Sequence, residues 1–257
     1  MVFSTLIQTN KIIIMKSARI YTTGIIGMSL MLLIYSCSKN KTETFAIQKD
    51  LSNTSLVQVH IAMVNTTRNY VYVDGSPVTG ALMSSGSIFP STGYASSITG
   101  GVRSFLIRDT LTATTQVPLN FAENMQVGRN YTIFVYDTIN APKQKTVQTD
   151  IVIPADSTSR IRFANFIYNP FAVPAVDVYS FNRQTNIFTN IPVTDVTNFI
   201  PYPSGLLTDT LYVRETGTMN LLLKTTITGG LIRKRSYTYV YRGSHRGTKT
   251  STLFSNN

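Results

Sequence analysis

From Val57 onward the apolar residues of this chain recur with a period of two, in short runs. No stretch keeps the three-to-four spacing of a helix. Val57, Val59, Ile61 and Met63 fall on one side of an extended segment, with Gln58 and His60 on the other, solvent-facing side. Tyr70–Val73 alternates in the same way and runs into Asp74-Gly75, a turn-forming pair. Phe105–Ile107, Tyr131–Tyr136 and Val147–Ile153 read as further strands. The segments between them are rich in Ser, Thr, Gly and Pro, notably Ser84–Gly101. A half-apolar sheet must bury its apolar face against another layer, so the expected class is an all-β, immunoglobulin-like sandwich of antiparallel sheets.

The pattern then recurs about 100 to 106 residues on. Ile161–Phe166 answers Val59–Val64, and Val176–Tyr179 answers Tyr70–Val73. Leu211–Arg214 answers Phe105–Arg108, and Tyr237–Tyr241 answers Tyr131–Val135. One period is the length of one sandwich domain. The sequence therefore predicts two in tandem, residues 56–154 and 157–257, divided at the short proline-bearing joint Pro154–Ser157. The only cysteine is Cys37, so no disulfide can staple either domain and burial alone must hold each one.

Upstream, Lys16 and Arg19 precede an uncharged, largely apolar run from Ile20 to Tyr35 that ends at Cys37. A positive start, an apolar middle and small residues at the end make a secretory signal, here a helical signal segment over residues 1–37 with Met15 as the natural start. A spanning helix needs about 20 apolar residues, and this run is shorter and broken by Gly24 and Gly27. Ile34, Ser36 and Cys37 resemble the processing site of a bacterial lipoprotein. The resemblance implies a diacylglyceryl thioether on Cys37, cleavage before it and acylation of the new amine, enough acyl chains for a stable anchor. Residues 38–55 are polar and read as a flexible tether. No cofactor is expected beyond that covalent lipid.

The second half contains RIRFANFIYNPFAVPAVDVYSF, FIPYPSGLLTDTLYVRETG and YTYVY. These runs resemble the DUF4397 family of exported bacterial, Bacteroidetes-type lipoproteins. The resemblance implies a β-sandwich fold, with Asp177, Tyr179, Tyr202, Gly205, Tyr237 and Thr238 on the family pattern. Tyr72, Val73, Asp74, Tyr94, Tyr131 and Thr132 stand on the same pattern in the first half, where the proline-rich loop is missing. The family carries no established activity, so the resemblance implies fold and location and adds no mechanism.

No chemistry-bearing motif stands out. The two histidines, His60 and His245, make no metal-ligand spacing with each other or with acids, and no nucleophile elbow or phosphate loop occurs. Neither catalytic residues nor a metal site are expected. Tyr237, Tyr239 and Tyr241 share one strand face among basic residues including Arg242, and Asp177 sits in an alternating strand. Rings beside cations can stack on sugars and hold acidic substituents, which makes these five candidate ligand-binding residues. The alternative is that the rings fill the core, with arginine stems over them, and that Asp177 bonds a neighbouring loop.

Four aspartates are followed by a hydroxyl residue: Asp109-Thr110, Asp137-Thr138, Asp156-Ser157 and Asp209-Thr210. The pattern resembles the O-glycan acceptor motif of exported Bacteroidetes proteins and makes Thr110, Thr138, Ser157 and Thr210 candidate acceptors. Strand-ending turns are the other reading.

The leader removes three of 23 basic residues and none of the 12 acids, leaving a net +8. Such a field favours anionic neighbours. For an exported chain these are lipid head groups or acidic sugars and not nucleic acid. The expected protein is a lipid-anchored, non-catalytic envelope component, at the outer membrane and on either face of it. It would bind a glycan or another envelope protein or serve structurally, in an oligomeric state the residues leave open. An envelope polysaccharide hydrolase and an accessory subunit of an outer-membrane assembly are the alternatives.

Overall fold

The computed structural model describes residues 52–257 apart from 92, 95, 152, 206 and 207; the signal segment and Cys37 lie outside the described residues. The strands of the first half are β1 (Thr54–Ile61), β2 (Asn69–Val73), β3 (Ser76–Pro77), β4 (Ile88–Phe89), β5 (Ser96–Thr99), β6 (Gly101–Asp109), β7 (Leu119–Met125), β8 (Asn130–Thr138) and β9 (Ala141–Gln148). Those of the second are β10 (Ser159–Tyr168), β11 (Val176–Ser180), β12 (Thr185–Ile191), β13 (Ile200–Tyr202), β14 (Asp209–Glu215), β15 (Leu221–Ile227), β16 (Ser236–Ser244) and β17 (Lys249–Ser255). The described residues are all-β.

They form four sheets. A first outer sheet, β3-β2-β6-β7, packs on a first inner sheet, β4-β1-β8-β9, to which β5 adds beside β1. The second half repeats the order, with an outer sheet β12-β11-β14-β15 and an inner sheet β13-β10-β16-β17. The ladders are antiparallel except β1–β8 and β10–β16, which are parallel. In each half the first strand pairs with one that returns only after a circuit through the outer sheet, as a crossover demands.

Three apolar layers separate the four sheets. Val57, Val59, Ile61, Phe105, Ile107 and Ile133 belong to the core of the first sandwich. Ile161, Phe163, Val178, Leu211, Val213 and Tyr239 belong to that of the second. The third layer, Ala62, Phe134, Ala164, Phe166, Val240 and Phe254, joins the two inner sheets. Each fully buried Phe or Val there contributes about 1.5–3 kcal/mol relative to exposure. The inner strands are therefore covered on both faces. β10 is almost continuously buried, whereas β2 on the outer sheet alternates.

This double coverage corrects the expected solvent-facing His60. It is fully buried, between Phe134 and Phe254 of the two inner sheets. Segment boundaries shift as well. Thr54 and Ser55, read as tether, are buried strand residues. Ser84–Gly101 is not an open loop, because β4 and β5 both pair with β1. The strand expected at Val147–Ile153 lies earlier, and the basic tail after Tyr241 holds the end of β16 and all of β17.

Candidate functional site

The candidate ligand-binding tyrosines are core residues, as the alternative reading has it. Odd-numbered positions of β16 point toward the second outer sheet, so Tyr237, Tyr239 and Tyr241 all enter the second core. Tyr239 and Tyr241 expose no surface. The Tyr239 hydroxyl donates to Thr225 Oγ1 at 2.8 Å, and burial pushes both of these phenols up from their ordinary range. Tyr237 accepts the backbone N–H of Ile232 at 3.1 Å, and Tyr131 accepts that of Gln126 at 3.1 Å. Each ring thus pins the connection five residues upstream, in the manner of a tyrosine corner.

Arg242 and Asp177 are also engaged by the fold. Arg242 donates from Nε to Thr252 Oγ1 at 2.7 Å and from Nη1 to Ser85 Oγ at 3.0 Å, tying the second half to the first. It lies over Gly86, whose φ of +90° and lack of Cβ both suit that close approach. Asp177 accepts the N–H of Asn190 at 2.8 Å, the Thr216 hydroxyl at 3.0 Å and the N–H of Gly217 at 3.2 Å. It thus ties the neighbouring strand β12 to the connection between β14 and β15.

The Asp-hydroxyl pairs sit at strand ends and in the inter-half joint. Asp109 accepts the N–H of Leu111, Asp156 that of Thr158, and Asp209 that of Thr210. Asp137 adopts a φ of 76° and pairs with Lys143 at 2.7 Å. Thr110, Thr138 and Thr210 are half-buried and Ser157 is exposed.

A cleft of about 320 Å³ opens where the two halves meet. Val147, Gln148 and Asp150 line it from the first half and the inter-half joint. Arg160, Arg162, Ser236 and the Val196–Phe199 loop line it from the second. Arg162 is 2% exposed, with its guanidinium 4.8 Å from the Phe199 ring centroid. Its Nε donates to Thr238 Oγ1 at 2.8 Å and its Nη2 to Thr132 Oγ1 at 3.0 Å.

Those hydroxyls belong to a buried polar chain that crosses the interface. Thr132 meets Tyr94 at 2.6 Å and Thr149 at 3.0 Å; Thr238 donates to Asn256, and Asn256 to Gln58 at 2.9 Å. Burial lowers the Arg162 pKa to about 10, against the favourable neighbourhood of Tyr94, so the side chain is cationic at neutral pH. No carboxylate pairs with it among the described residues. Arg160 pairs with Asp156 at 3.6 Å, and Asp150 with Arg129 at 3.9 Å.

Asp150 is the single carboxylate lining the cleft. Among the described residues no cluster of His, Cys, Asp and Glu is placed to hold a metal ion. The cleft offers amide and guanidinium donors, two hydroxyls and one aromatic face: groups that hold a polar ligand. Sequence reading did not find Arg162, Thr132, Thr238 or Phe199 as a set. The usable signal was the Tyr-Thr pair present in both halves, at Tyr131-Thr132 and Tyr237-Thr238.

No family model matches this chain, and no curated protein does. Among solved structures, one similar chain is the CBM26-family module CBMbc of Eubacterium rectale Amy13K in complex with maltoheptaose, 10% identical, with a TM-score of 0.25 over 77% of this chain and 95% of that one. Another comes from a structure of alpha-glucan binding by a streptococcal virulence factor, 10% identical, with a TM-score of 0.24 over 79% of this chain and 97% of that one.

Proposed function

We propose that the protein is a non-catalytic recognition protein of the bacterial cell envelope, anchored through a lipid on Cys37 and holding a glycan in the cleft between its two sandwiches. The observation that carries this is the cleft itself: both halves build it, and a buried apolar layer fixes its walls. A saccharide needs several hydrogen-bond partners and an apolar or aromatic surface for its ring faces. Gln148, Asn198 and Ser236 supply the first, and Phe199 with Val147 and Val196 the second. Glycoside hydrolysis uses paired carboxylates about 5–10 Å apart, whereas this lining holds one. The chain reads best as a tandem DUF4397-type lipoprotein of the outer membrane. Thr110, Thr138, Ser157 and Thr210 are its proposed O-glycan acceptors.

The test is a panel of envelope and host glycans presented to the purified protein and to an Asn198→Trp variant that fills the cleft mouth. Binding is expected for the parent and at least a tenfold loss for the variant. Unchanged binding by the variant would remove the cleft from the argument. Intact-mass analysis of protein from its own host reads the acyl and glycan additions directly.

A further inference from the structure

Resting on the cleft reading, we infer that the glycan it takes is acidic, with a carboxylate or sulfate of the saccharide docking on the Arg162 guanidinium. The two halves match position by position along their inner sheets. On the paired ladders β1–β8 and β10–β16, Gln58 stands opposite Thr132 and Arg162 opposite Thr238. Gln58 and Arg162 are therefore counterparts, each on the first strand of its inner sheet and each reaching across the interface.

Each bonds across the interface, Gln58 to the end of β17 and Arg162 to β8. Gln58 donates to Ser255 O at 3.0 Å and accepts from Asn256 in the other half. Arg162 donates to Thr132 in the other half. The Gln58 side is satisfied by protein alone, since its amide nitrogen also meets Pro90 O at 3.3 Å. The interface thus needs a long polar side chain at this place and does not need a charge.

Arg162 nevertheless carries one. Moving an unpaired guanidinium out of water costs several kcal/mol even after relaxation. The five donors of Arg suit a carboxylate or sulfate in a bidentate grip. The acceptors supplied here are neutral hydroxyls, and the side chain, though only 2% exposed, belongs to the cleft lining beside Phe199. Arg160 adds a second cation to the same lining. An incoming anion would compensate the charge that the protein leaves alone. The Phe199 ring against the guanidinium holds its plane in place for that contact.

Titration calorimetry tests this with the full-length protein in detergent, using oligogalacturonate and a chondroitin sulfate fragment as acidic probes and a neutral galacto-oligosaccharide as reference. Three variants report. Arg162→Gln installs the residue the counterpart position already tolerates, so it is expected to fold with an unchanged or raised Tm. Arg162→Lys keeps charge without the planar fork. Asn198→Trp blocks the cleft. The acidic probes are expected to bind at least tenfold tighter than the neutral one. Arg162→Gln should erase that preference, Arg162→Lys should restore part of it, and added salt should weaken the acidic probes alone. Equal binding of acidic and neutral probes, still blocked by Asn198→Trp, overturns the acidic-ligand inference and leaves the cleft reading intact. An acidic preference that survives Arg162→Gln overturns the inference too. Absence of binding by every probe, or binding indifferent to Asn198→Trp, removes the cleft reading and this inference with it.

Discussion

His60 shows what a single side chain contributes when both faces of its sheet are covered. Its ring stacks on Phe254 at a centroid distance of 5.4 Å and leans on Phe134, and neither ring nitrogen has a hydrogen-bond partner. Burial, and then the nearby charge of Arg242, lower its pKa from 6.5 to about 3. The unfolded chain takes up a proton near pH 6.5, and the folded chain resists it until about pH 3. Stability therefore falls with pH across that window, by about 1.4 kcal/mol per unit once the unfolded form is fully protonated. His60→Phe keeps a ring in the stack and removes the titrating group along with two unpaired nitrogens. It is expected to raise Tm by several degrees at pH 5 and to flatten the dependence of Tm on pH between 6.5 and 3. Parallel Tm-against-pH curves for the parent and the variant would refute this account of the site. The alternation that placed Gln58 and His60 opposite Val59 is real. It says which residues share a face and nothing about what that face meets.

Among elements, the inner-sheet strands were the most legible and the edge strands the least. β1, β8, β10 and β16 carry long apolar or aromatic runs because they are buried on two sides, and the sequence locates most of each. β7, β15 and β17 are edge strands with mixed patterns such as LNFAENM and KTSTLFS, where most positions are only partly buried and polar residues such as Glu123 and Thr225 stand among the apolar ones and blur the alternation. The same physics explains the tyrosine trio. Three rings at alternate positions signal one common face, and only the packing of sheet on sheet tells core from platform. The Arg162 constellation was invisible because its partners, Thr132 and Thr238, lie 30 and 76 residues away. The connection from β7 to β8 and the one from β15 to β16 are each held by a corner hydroxyl, on Tyr131 and Tyr237. Tyr131→Phe and Tyr237→Phe each leave a backbone N–H unpaired, so each is expected to cost about 1 kcal/mol in denaturant unfolding. The two losses should add, since the corners belong to different halves. A neutral result at either position would show that the hydroxyl is not what holds the turn.

For the molecule as a whole, the decisive feature is the layer between the inner sheets, where Phe134, Phe166, Val240 and Phe254 meet and the polar chain from Gln58 to Arg162 crosses. Tandem sandwiches joined end to end swing about their linker, because little surface is shared between them. Here each half would expose a wide apolar face if separated, and each would leave buried polar partners unpaired. The described residues accordingly form one compact body. Calorimetry of the intact protein should show a single transition with calorimetric and van't Hoff enthalpies in agreement, despite the two cores. A chain ending at Pro154 should melt at least 10 °C lower than the intact protein and bind a hydrophobic dye through its uncovered inner sheet. Two resolved transitions, or an isolated half as stable as the whole, would mean that the halves move independently. A cleft with walls from both halves could not then keep its shape, whereas a single cooperative unit holds Arg162, Phe199 and Gln148 in fixed relation before any ligand arrives.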